Sequence, residues 1–110
     1  MIKEKKSYDL YLQVPDEMDQ ERMMAIVDRA AAASGLYISH LGGYSRVKYP
    51  NSLHWHFKRD RKEPGLIDAT FWNEGAKFWL MVRHNEPAWV HDTAPRLHAA
   101  LRRELALLGV

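Results

Sequence analysis

The chain has 110 residues, 46% hydrophobic and 27% charged, a size and composition that suit one globular domain and exclude wholesale disorder. It has no cysteine, which excludes disulfides, thiolate metal sites and a cysteine nucleophile together and makes a cytoplasmic location the expectation. The formal charge is +2 but unevenly spread: residues 36–83 carry eight Lys and Arg against four Asp and Glu, residues 1–35 five against seven.

Residues 1–6 read as a flexible N-terminal arm, and residues 7–110 as a single domain. The charged start, Met1-Ile-Lys-Glu-Lys-Lys6, leads into no apolar stretch of a secretory leader. No apolar run approaches the length of a membrane span. Tyr8, Leu10, Leu12 and Val14 alternate with Asp9, Tyr11 and Gln13, the period of a half-buried strand. Pro15 and Asp16 end it. A helix follows to Ser34, with Asp16 or Asp19 as cap and Met23, Ile26, Val27, Ala30 and Ala31 as its apolar stripe. Gly35 suits the position just past its end.

Residues 36–41 and 44–49 read as two strand pieces, bent or bulged at Gly42-Gly43. Residues 53–59 form the next strand. The clearest local signal is a hairpin, residues 66–73 and 76–83, turning at Glu74-Gly75. That loop pairs Phe71 with Phe78, Thr70 with Trp79 and Trp72 with Lys77. Ala88 to His91 reads as a short edge strand. Asp92-Thr93 then caps a last helix, with Pro95 in its first turn and Leu97, Leu101, Leu105 and Leu108 on one stripe.

The expected fold is α+β: a single β-α-β-β-β-α domain, with the strand count open by one, in which an antiparallel sheet carries two helices on one face. In topology alone this order resembles helix-on-sheet folds of the TATA-binding-protein type. Its last five elements resemble the α-β-β-β-α order of double-stranded-RNA-binding domains. The lysine-rich start of that family's final helix is replaced here by Thr93-Ala-Pro-Arg96, and no family is assigned.

Alternation divides the sheet into two faces. Ile67, Ala69, Phe71, Phe78, Leu80 and Val82 should meet the helices, with Leu53, Trp55 and Phe57. The opposite face should collect His54, His56, Lys58, Trp72, Lys77, Trp79 and Arg83. Aromatic rings among cations can stack bases or a flat ligand, or bury against a protein partner. These seven residues are the expected ligand-binding set of a non-enzymatic binding domain. Its ligand is left open between a protein, a small aromatic molecule and a single-stranded nucleic acid.

Two alternatives stand beside it. One is a small histidine-dependent hydrolase or metal-assisted enzyme built on His54 and His56. These lie on one side of a strand, and a third ligand could come from Asp68, His40, His84 or His91. The other is a homodimeric interaction protein that closes the open sheet face. No phosphate loop, dinucleotide glycine motif or nucleophile elbow occurs. No cofactor is expected, no residue is assigned a catalytic or metal-binding role, and no transition metal is expected to be needed for folding or function. Lys58-Arg-Asp-Arg-Lys62 reads as a solvated basic turn, and Met23 and Met24 as core and its boundary.

Overall fold

A computed structural model describes residues 6–43 and 48–109. The elements run β1 (Ser7–Gln13), α1 (Gln20–Ala33), β2 (Tyr37–Gly42), β3 (Ser52–Lys58), β4 (Ile67–Trp72), β5 (Lys77–Arg83) and α2 (Ala88–Gly109). The expected α+β fold is present, with five strands between and around the helices. All five form one antiparallel sheet in the order β1-β5-β4-β3-β2. Among the described residues no helix is long and apolar enough to cross a membrane. Of the expected arm, only Lys6 is described; its carbonyl accepts from the His84 amide at 2.9 Å.

Hydrophobic periodicity explains the core. Trp55, Phe57, Ile67, Phe71, Phe78, Leu80 and Val82 are fully buried on one sheet face. Against them pack Met23, Ile26 and Val27 of α1 and Val90, Leu97 and Leu101 of α2. The register pairs Phe71 with Phe78, Thr70 with Trp79 and Trp72 with Lys77, as alternation requires. The loop that joins them is wider than two residues. Asn73–Gly75 make one tight 3-10 turn, and Ala76 takes a left-handed backbone at φ 51°. Trp72 folds over Gly75, where a Cβ would lie 2.4 Å from the indole ring.

Asp19 is the cap of α1; its carboxylate accepts from the Arg22 amide at 2.7 Å. At the far end Gly35 stands at φ 72°, and the Leu36 amide returns to the Ala31 carbonyl, a closure that favours a residue without a Cβ. The Arg29 side chain of α1 donates to Glu104 of α2 at 2.5 Å, tying the helices on their outer side.

Two expectations are corrected, and a third falls mostly outside the described residues. Ala88–His91 is the first turn of α2, not an edge strand, so Asp92 and Thr93 lie inside the helix and Pro95 is its eighth residue. Tertiary contacts decide this. Trp89 and Val90 are both buried, which a one-sided edge strand would not achieve, and the Trp89 indole donates to the Pro64 carbonyl at 2.8 Å. Secondly, the irregularity of β2 lies between Ile38 and His40, ahead of the glycine pair. Finally, residues 44–47 of the second strand piece lie outside the described residues, and Lys48 and Pro50 are in turns.

Candidate functional site

The sheet face turned away from both helices can be read in rows from the register. Tyr11, Trp79, Thr70, His54 and Gly42 form one row across all five strands. Asp9, Met81, Asp68, His56 and His40 form the next. Gln13, Lys77, Trp72 and Ser52 lie beyond the first row. All seven sequence-predicted residues are on this face, but the structure sorts six of them into two clusters rather than one platform and leaves Lys58 apart.

The first cluster is polar and centred on Asp68. The Nε2 atoms of His54 and His56 both lie 3.0 Å from the same carboxylate oxygen, Oδ1. Arg83 Nη1 reaches the other oxygen, Oδ2, at 3.3 Å. The second ring nitrogen of His54, Nδ1, is 2.8 Å from the Thr70 hydroxyl. Asp68 is 4% exposed, His54 8% and Thr70 1%, so these polar groups are withdrawn from water and satisfy one another. Isolated burial of a carboxylate would cost several kcal/mol; pairing with hydrogen-bond donors is what makes it tolerable.

His56 is half-buried. Burial is the main cause holding its imidazole below the ordinary value of 6.5; His54, His40 and Arg83 add to the shift, and the Asp68 carboxylate opposes it. Withdrawal from water disfavours the charged ring and outweighs the carboxylate that favours it. The bulge in β2 brings in a third imidazole. Strict alternation from Ile38 would turn His40 toward the helices, whereas the extra residue pairs it with His56 on this face, ring centroids 5.0 Å apart. His84 and His91, also weighed as third ligands, are elsewhere. His91 Nδ1 is 2.8 Å from the Tyr8 hydroxyl and its Nε2 lies near the carbonyls of His84 and Glu86, so it serves the junction of β1 with α2.

The second cluster is aromatic. Tyr49, from the connection before β3, lies against Trp72 and Trp79 at centroid distances of 5.3 and 5.2 Å. Tyr11, 64% exposed, borders Trp79 at 6.4 Å. Lys77 stands over the Trp72 ring at 6.0 Å and Lys48 over Tyr49 at 5.6 Å. The Trp72 indole nitrogen is buried without a hydrogen-bond partner. Tyr49 carries no local sequence signal for this role; alternation turns Tyr11 away from the core, but only tertiary folding sets either of them beside the tryptophans. Lys58 stands apart at the end of β3, opposite Tyr37.

A cleft of about 1020 Å³ lies elsewhere, between the end of β1 and α2. Its one histidine, His98, already contacts the Tyr11 carbonyl at 2.7 Å, and no converging polar constellation like that around Asp68 lines it. Comparison with family models, curated proteins and solved structures finds no match. Geometry alone therefore carries the functional reading.

Proposed function

We propose that this chain is a non-enzymatic binding domain that takes a small planar ligand with an anionic group at the aromatic end of its open sheet face. The observation that carries this is the Trp72–Tyr49–Trp79 cluster, flanked by Lys77 and Lys48. A planar ligand ring would stack beside Tyr49 on the indoles, and the Lys77 ammonium over Trp72 supplies a charge complement. A small ligand fits better than a nucleic-acid strand. Of the cations expected on the face, Arg83 is engaged by Asp68, and Asp9 and Asp68 add negative charge. A run of phosphates needs several uncommitted cations in line. The absence of cysteine suits a cytoplasmic setting.

The test is a tryptophan-fluorescence titration with 1-anilinonaphthalene-8-sulfonate, a planar aromatic anion. Saturable quenching, abolished in a folded Trp79→Ala variant and only mildly salt-dependent, supports the reading. Quenching by mixed-sequence single-stranded DNA or RNA that falls steeply with salt would replace it with nucleic-acid binding. A dimer mass by light scattering, with fluorescence that follows protein concentration, would replace it with self-association through this face.

A further inference from the structure

We infer that His54, His56 and Asp68 form a binding site for one divalent transition-metal ion of the zinc type, on the same sheet face as the aromatic cluster. The inference does not depend on the aromatic end, and its test reads a different signal.

Three observations lead to it. First, the ligand atoms converge. One ligand atom from each of the three side chains lies within 4.8 Å of the other two, and both Nε2–Oδ1 separations are 3.0 Å. A tetrahedral ion with bonds of about 2.0–2.1 Å sets its ligand atoms roughly 3.3 Å apart, so small side-chain adjustments would admit it. Two imidazole nitrogens aimed at one carboxylate oxygen need a positive centre between them, either a proton on each ring or a single cation. Second, the donor set is selective. Two imidazoles and one carboxylate suit zinc and its first-row neighbours, whereas calcium and magnesium call for oxygen ligands alone.

Third, the surrounding shell is already built. Thr70 holds His54 Nδ1 at 2.8 Å. With its proton on Nδ1 and donated to the Thr70 hydroxyl, His54 presents the Nε2 lone pair to the ion. Ligating histidines are commonly fixed in this way. Arg83 contacts only Oδ2, which leaves Oδ1 for the ion. β3 and β4 hold the three ligands on directly paired strands, with His56 opposite Asp68 and His54 opposite Thr70. Among the described residues the three side chains supply three ligands, and His40, its ring 5.0 Å from that of His56, is the nearest further imidazole. Arg83 is the opposing term, since its charge repels the ion; half-exposed, it can turn outward into water.

The test uses the full chain, untagged and stripped with a chelator. Titration with Co²⁺ near neutral pH should produce visible absorption bands of a low-coordinate site at one ion per chain, and one equivalent of Zn²⁺ should displace them. His56→Ala and Asp68→Asn should each weaken binding by about tenfold or more, while Arg83→Gln leaves it equal or tighter. Circular dichroism establishes that each variant is folded. Should Asp68→Asn fail to fold, His56→Ala decides, because His56 is only half-buried. Absence of Co²⁺ bands and of Zn²⁺ binding heat at sub-millimolar metal overturns the inference. So does binding undiminished in a folded His56→Ala variant, which would place the ion on other histidines.

Discussion

Trp89, at the start of α2, donates its indole N–H to the carbonyl of Pro64, twenty-five positions earlier, at 2.8 Å. The loop between β3 and β4 is thereby tied to the helix that covers the sheet. Gly65 makes the approach possible: its φ is +109°, and a Cβ would lie 2.7 Å from Pro87 and 2.9 Å from Trp89 and Val90. Gly65→Ala should therefore lose about 2 kcal/mol or more of stability in a urea melt, from backbone strain and overpacking together. A loss under about 0.5 kcal/mol, the scale of an ordinary surface change, would mean that the loop does not pack on α2 in this way.

The two faces of β5 should respond differently to truncation. Phe78 is fully buried between the sheet and the helices, and Phe78→Ala should cost about 3–5 kcal/mol. Trp79, its half-buried neighbour on the opposite face, should cost clearly less when replaced by Ala. Denaturant melts of the two variants check this, and a reversed order would mean that the hairpin faces are exchanged.

Thr70→Val keeps shape at a position 1% exposed but removes the hydroxyl that His54 Nδ1 contacts. The expected loss is about 1–3 kcal/mol, the penalty of depriving a buried polar atom of a partner. Thr70→Ser, which retains the hydroxyl, should recover part of it. A valine variant as stable as the wild type would show that the hydroxyl contributes nothing.

The cap of α1 should be sensitive to acid. Hydrogen bonding from the Arg22 amide, reinforced by its side chain, holds the Asp19 carboxyl below the ordinary 3.8. A carboxyl lowered on folding stabilises fully above its unfolded value, and that contribution disappears as pH falls through the lower folded value. Asp19→Ala should lower the melting temperature at neutral pH, and Asp19→Asn, an equally good cap, should not. The difference between wild type and Asp19→Asn should stay constant from neutral pH to about one pH unit above the ordinary 3.8 of the carboxyl and shift toward the asparagine variant as pH falls further; a difference that already changes between neutral pH and that onset would argue against this role for the carboxylate.

Much of this fold is legible where local pattern and tertiary environment agree. The hairpin register follows from thirteen residues of alternation about one turn, and both helix stripes match the buried residues. Ala88–His91 misleads because a short segment between Pro87 and an Asp-Thr pair satisfies strand and cap signals equally well, and only the docking of Trp89 decides. The polar cluster was half visible. Alternation puts His54, His56 and Asp68 on one face, but β3 and β4 are joined by a long connection that fixes no register, so the meeting of both histidines on one oxygen is a tertiary result. The bulge that turns His40 to the same face leaves no mark in the residues around it.

Among the described residues the sheet order places β1 at an edge whose one neighbour is β5, the last strand made. Lysine 77 enters the growing chain about sixty residues after Gln13, which at 5–20 residues per second is roughly 3–12 s of synthesis. Through that interval the Tyr8-Leu10-Leu12 side of β1 has no pairing partner from its own chain. The neighbouring strands β2 to β5 pair consecutively and can assemble as they emerge. A nascent chain stalled before residue 77 therefore presents an unpaired, half-apolar strand to chaperones and to other nascent copies, and release of the last strand closes that edge.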